Sequence, residues 1–127
     1  MRKTISTDRA PAAIGTYSQA VCIDKLVFLS GQIPLVPETM EMVAGGINQQ
    51  IEQVFDNLAA VCEAAGATLD QVVKFTVYLT DLAHFSKVNA EMEKRLDEPY
   101  PARAAVQVSA LPRGAQIEVE AIVALDS

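Results

Sequence analysis

Apolar residues along the chain switch between two spacings, and the switches mark out the elements. Residues 16–23 and 26–30 are rich in β-branched and aromatic side chains and are split by Asp24-Lys25, which predicts a hairpin that Gly31 ends. Residues 32–46 hold Pro34, Pro37 and two glycines and predict an irregular excursion, long enough for a lid or a rim. From Ile47 the spacing turns helical. Ile47, Ile51, Val54, Phe55, Leu58, Val61 and Cys62 recur at three- and four-residue steps, Gln50, Glu52, Gln53, Asp56 and Glu63 take the other face, and Gly66 supplies a left-handed cap. Residues 72–79 are dense in strand formers at both parities, which predicts a strand covered on both faces. Asp81 caps a second helix with the stripe Leu82, Phe85, Val88, Met92 and Leu96, leaving His84, Lys87, Glu91 and Arg95 on its wet side. Pro99-Tyr100-Pro101 breaks that helix. Residues 103–111 then alternate, with Ala104, Val106 and Val108 opposite Arg103, Ala105 and Gln107. Pro112-Arg113-Gly114 turns the chain into a last strand, residues 116–125, with Ile117, Val119, Ala121, Val123 and Leu125 on one face and Glu118, Glu120 and Ile122 on the other.

The order of strands, helix, strand, helix and two strands predicts an α+β domain, and right-handed crossovers place both helices on one face of a mixed sheet. The other face carries Val, Ile and Ala, and exposing on the order of several hundred Å² of such surface is rare in a monomer. That face is therefore expected to bury itself against other copies of the chain. A length of 127 residues fits one domain spanning the whole chain. Half of the residues are hydrophobic and a fifth charged, enough for a core and against disorder. A net charge of −6 with no basic cluster argues against general nucleic-acid binding. The first nine residues are mostly polar and no apolar run nears the ~18 residues of a membrane span, so no membrane partner and a cytoplasmic location are expected. Cys22 and Cys62 each lack a second Cys or His at ligand spacing, which reads as two reduced, buried thiols and neither a disulfide nor a zinc site.

The local signatures of dinucleotide, P-loop, nucleophile-elbow and zinc-deaminase sites are all missing, and the one histidine, His84, reads as a surface residue. What remains are polar residues inside strands that otherwise read as core. Arg103 lies in Pro-Ala-Arg-Ala-Ala-Val, and a guanidinium in such a setting needs an anionic partner. That partner is either a protein carboxylate or the carboxylate of a small ligand, which the planar fork grips bidentately. Glu118 and Glu120 share a face of the last strand. Either both face solvent on an edge strand, or one is paired and the other hydrated or partly protonated. Tyr17 and Ser30 offer hydroxyls without a companion base.

Taken together these segments resemble the RidA/YjgF family, known historically as L-PSP endoribonuclease or translation initiation inhibitor. The likeness runs over essentially the whole chain. It rests on Ala10-Pro11-Ala12-Ala13-Ile14-Gly15, Tyr17-Ser18-Gln19-Ala20, Ser30-Gly31-Gln32-Ile33-Pro34, the helix ending in Glu-Ala-Ala-Gly, Val72-Val73-Lys74, Val88-Asn89-Ala90, Pro101-Ala102-Arg103, Leu111-Pro112 and Ile117-Glu118-Val119-Glu120-Ala121. The resemblance implies a chorismate-mutase-like fold in a homotrimer, with sheets packed into a central barrel and clefts between subunits. It implies hydrolysis of 2-imino or enamine acids such as 2-aminoacrylate and 2-iminobutanoate to 2-keto acids and ammonium, without metal or cofactor. Arg103 is similar in position to the family's catalytic arginine and would hold the substrate carboxylate, while Glu118 would position or deprotonate the water. By the same likeness Tyr17 would close the cleft, Ser30, Gly31 and Asn89 would line it, and Glu120 would be structural. Ala105 stands beside this pocket where many relatives carry a cysteine, Val119 replaces the more usual Ile or Met, and the stretch from Asn89 to Pro101 looks a few residues short, so pocket and rim are expected to differ. Two other readings are a binding or chaperone-like module using the same cleft, and an endoribonuclease acting on single-stranded RNA, which the acidic charge disfavours.

Overall fold

Three strands with apolar residues at alternate positions, β3 (Leu26–Gln32), β6 (Val72–Leu79) and β8 (Ile117–Ala124), form the middle of a sheet in the computed structural model, which describes residues 2–126. β2 (Ala20–Ile23) and β1 (Lys3–Ile5) extend it at one side and β7 (Ala102–Gln107) at the other, in the order β1-β2-β3-β8-β6-β7. All neighbours are antiparallel except β6 and β7, which the crossover through α2 (Phe85–Arg95) makes parallel. The last strand is therefore not an edge. β8 bonds to β3 on one side and β6 on the other, because Ile117, Val119, Ala121 and Val123 all have core to enter.

That core lies between the sheet and α1 (Ile47–Ala64), with α2 beside it on the same face. Val27, Phe75, Val77, Ile117 and Val119 from the sheet meet Val54, Phe55, Leu58 and Val61 from α1, all fully buried. Each such side chain contributes about 1.5–3 kcal/mol. Phe55 and Phe75 meet edge to face at 5.8 Å. α1 ends as its Gly66 foretold, with the backbone at φ +81° and the Ala67 and Gly66 amides donating to the carbonyls of Cys62 and Glu63, each at 2.9 Å.

Several local expectations are corrected. Gln50 does not lie on a wet face. Its Oε1 accepts from the Gln116 amide at 2.9 Å, and the equally buried Asn57 donates to the Leu35 carbonyl at 3.0 Å and the Ile33 carbonyl at 3.4 Å. The excursion's backbone needs buried partners, and these two side chains supply them. The excursion is also not wholly irregular, since β4 (Leu35–Val36) and β5 (Glu41–Met42) form a small hairpin within it. Glu91 is buried rather than wet, bound by Arg95 at 2.6 Å, and Arg95 reaches on to Asp56 at 2.7 Å, joining α2 to α1. Burial works against the Arg95 charge, but Glu91 and Asp56 outweigh it and raise its pKa.

β3 runs through Gly31 to Gln32, with a register shift between Leu29 and Gln32 instead of a stop, and its partner begins only at Ala20. The polar opening segment contributes β1. A 3₁₀ turn at residues 82–84, capped by Asp81 through the Ala83 amide at 2.9 Å, precedes α2, and His84 on it is half-buried. β7 stops at Gln107. Cys22 is half-buried, whereas Cys62 is buried and its thiol is pushed up to about 12, first by burial and then by Glu63. Only the helix face of β6 is covered within the chain. On the other face Ile23, Leu26, Phe28 and Val106 each remain 40–43% exposed, beside the half-buried Tyr78 and Ile122.

Candidate functional site

Parity on β8 decides where its two acids go. With Ile117, Val119 and Ala121 in the core, Glu118 and Glu120 point from the opposite, uncovered face. Glu118 packs against Gly31 of β3 so closely that a Cβ at Gly31 would stand 2.9 Å from its carboxyl carbon. Here the glycine serves close approach. Burial first and the charge of Glu120 second raise the Glu118 pKa, and among the described residues no side-chain donor reaches its carboxyl group. Glu120 differs. It is exposed and accepts a 2.7 Å bond from the Tyr78 hydroxyl, which pushes that phenol's pKa up. Two acids on one face thus have one occupied and one free carboxylate.

The loop before β2 brings Tyr17 to the same place. Gln19, buried, donates to the carbonyls of Pro11 (2.7 Å), Thr7 (3.0 Å) and Ala10 (3.2 Å) and accepts from the Thr7 amide at 2.6 Å, and its own carbonyl accepts from the Ser30 amide at 3.0 Å. The Ser30 hydroxyl donates to the Ser18 carbonyl at 2.6 Å. Tyr17, Ser30, Gly31 and Glu118 then line one cavity of about 320 Å³, which Arg113 also lines.

Arg103 is elsewhere. Its register opposite Phe75 puts it, with Ala105, on the helix side of β7, at the sheet edge that α2 only partly covers. The guanidinium lies 4.5 Å from the centre of the Phe85 ring, donates to Asn89 Oδ1 at 2.9 Å and approaches Met92 Sδ at 3.6 Å. Asn89 donates in turn to Glu93 at 3.1 Å, which fixes its amide. Among the described residues no carboxylate comes within ion-pair distance of Arg103, so the first of the two partners left open by the sequence is absent. Arg103, Asn89, Met92 and Tyr100 line a second cavity of about 150 Å³. Ala105 shares a shallow depression with Arg103, Phe85 and Leu82.

The two groups of residues do not meet within one chain. Glu118 pairs across β6 with the row of Tyr78 and Val106, and Arg103 with the row of Phe75 and Ala121. Three residues along and two strands across separate their backbones by about 14 Å, on opposite faces of the sheet. Sequence reasoning missed Phe85 as the platform under Arg103, because its helical spacing reads as core. It also missed Gln19 as the pin of the Tyr17 loop and Arg113 as a cavity residue; only a turn signal marked the latter. His84 lines neither cavity. Among the described residues no group of three His, Cys, Asp or Glu side chains could hold a metal ion, and no helix is long and apolar enough to cross a membrane.

The family model described as Endoribonuclease L-PSP matches residues 7–125. Protein DfrA of Myxococcus xanthus is 54% identical, over 95% of this chain and 94% of that protein. The 2-iminobutanoate/2-iminopropanoate deaminase of Bos taurus is 45% identical, over 96% of this chain and 89% of that protein. The crystal structure of RidA from an Antarctic Psychrobacter superposes with a TM-score of 0.93 at 56% identity, covering 96% of this chain and 98% of that one.

Proposed function

We propose that this chain, which belongs to the RidA/L-PSP endoribonuclease family, hydrolyses small 2-imino and enamine acids, such as 2-aminoacrylate and 2-iminobutanoate, to 2-keto acids and ammonium at clefts between copies in a homotrimer. One observation carries the reading: an oriented guanidinium without a carboxylate and a half-buried carboxyl without a donor sit on opposite faces of one sheet. A cleft between copies would join them, the apolar second face supplying the contact.

In that cleft Arg103 of one copy grips the substrate carboxylate, with Phe85 and Asn89 holding the fork in place and Ala105 leaving room beside it. Glu118 of the other copy takes a proton from a water as its oxygen bonds to the iminium carbon. The proton passes to the nitrogen of the resulting carbinolamine, the C–N bond breaks, and the keto acid leaves with ammonium. Tyr17 covers the site, while Ser30 and Gly31 form its wall. An iminium is already electrophilic, so orienting substrate and water supplies much of what the reaction needs. The name carried by the Bos taurus relative supports this substrate class.

The test generates 2-iminobutanoate in situ from threonine with a dehydratase and follows the keto acid. Wild type is expected to accelerate its release over buffer, and Arg103→Ala to lose that acceleration. Wild type no faster than buffer, with Arg103-dependent ligand binding retained, would make the protein a binding module. Cleavage of single-stranded RNA that vanishes in Glu118→Ala would instead favour the activity in the family model's description.

A further inference from the structure

Three described residues other than glycine have left-handed backbones: Asp24 (φ +53°), Met40 (φ +59°) and Arg113 (φ +60°). Such a conformation crowds Cβ against the carbonyl oxygen, so a side chain kept there merits a cause. Two of the three touch each other. Arg113, in the turn before β8, donates from Nη2 to the Met40 carbonyl at 3.3 Å. Met40 sits at the tip of the β4–β5 hairpin, which is closed by its amide on Val36 at 2.7 Å and by the Val43 amide on Pro34 at 2.9 Å. The guanidinium is thus steadied from behind by the excursion's rim while Arg113 lines the cavity that holds Glu118, Tyr17 and Ser30.

That contact uses one of five N–H donors. Among the described residues no carboxylate, that of Glu118 included, lies within ion-pair distance of Arg113. In the proposed reaction the substrate's own carboxylate goes to Arg103 and its imine carbon to Glu118. A three- or four-carbon substrate has nothing left for the remaining donors. Building on the deaminase reading, we propose that Arg113 determines specificity by taking a second carboxylate at the end of the substrate's side chain, which makes dicarboxylic 2-imino acids of the 2-iminoglutarate type preferred substrates. A planar fork anchored at one nitrogen is suited to a bidentate carboxylate contact.

The experiment compares kcat/KM for 2-iminoglutarate, generated in situ from glutamate by a glutamate oxidase with catalase present, with that for 2-iminobutanoate. It uses wild type, Arg113→Asn and Arg113→Lys. Asparagine accepts left-handed backbone, so the turn keeps its shape, and a thermal midpoint confirms folding. Wild type is expected to prefer the dicarboxylic imine. The ratio of the two kcat/KM values is expected to fall at least ten-fold in Arg113→Asn, mainly through KM, and to recover in part in Arg113→Lys. An unchanged ratio, or a wild type that prefers 2-iminobutanoate, overturns the inference while leaving the deaminase reading standing. If wild type accelerates neither imine, the deaminase reading falls and the inference falls with it.

Discussion

Glu118 and Glu120 stand two positions apart on one strand face, yet their surroundings give them different work. Because Glu118 lacks a donor and Glu120 is engaged by Tyr78, Glu118→Gln is expected to lower kcat by about 100-fold or more with little change in KM. The raised Glu118 pKa means that the ionised base, and with it kcat/KM, appears at higher pH than it would for an unperturbed carboxylate. Glu120→Gln removes one cause of the rise, so the acid limb of the pH–rate profile should move to lower pH. The sign for stability is opposite to that of an ion-paired acid. Glu118 holds its proton more tightly folded than unfolded, so ionising it above the unfolded pKa weakens the fold, and Glu118→Gln should raise the thermal midpoint at neutral pH. Gly31→Ala should displace the Glu118 carboxyl and depress kcat toward the level of Glu118→Gln while the protein stays folded, as activity and circular dichroism would show together. Both acids were visible in the sequence, but what distinguishes them was not, since Gly31 lies far away along the chain.

At the scale of elements, periodicity exposed both helices and the strands β3, β6 and β8, because each has an apolar face that must be buried. It failed for β1, a three-residue strand of mostly exposed residues that pairs through its backbone, and for β4 and β5, two residues each. It also sorted Gln50 onto water, where polarity alone would send it, and gave Asn57 no place, yet both are buried. Their burial reflects the needs of another segment's backbone. Asn57→Ala should leave the Leu35 and Ile33 carbonyls without that donor and lower stability by about 1–3 kcal/mol, read from urea unfolding. Leucine at Asn57 would do at least as much harm, because it adds volume without a donor.

For the whole molecule, the uncovered face and the divided site lead to one expectation. Mixing inactive Arg103→Ala and Glu118→Gln chains after denaturation and refolding should restore about a quarter of wild-type activity, since random pairing gives each cleft one sound half from each side in one case out of four. No recovery would overturn a cleft that takes Arg103 from one copy and Glu118 from another. Phe28→Glu, placed on the open face, should shift the mass in solution to that of a single chain and abolish turnover while leaving the helix-side core intact.

Local spacing was enough to determine the helices and the longer strands, whose order gives the α+β class, together with the caps at Asp81 and Gly66 and the identity of the polar residues set into apolar strands, because each element, cap and polar insertion depends on neighbours within a few positions. Only the tertiary structure decided that β8 lies inside the sheet, that Gly31 meets Glu118, that Arg103 rests on Phe85 without an acid, and that the two halves of the site face apart. Those facts depend on strand order and register, which bring together residues that no periodicity in the chain relates.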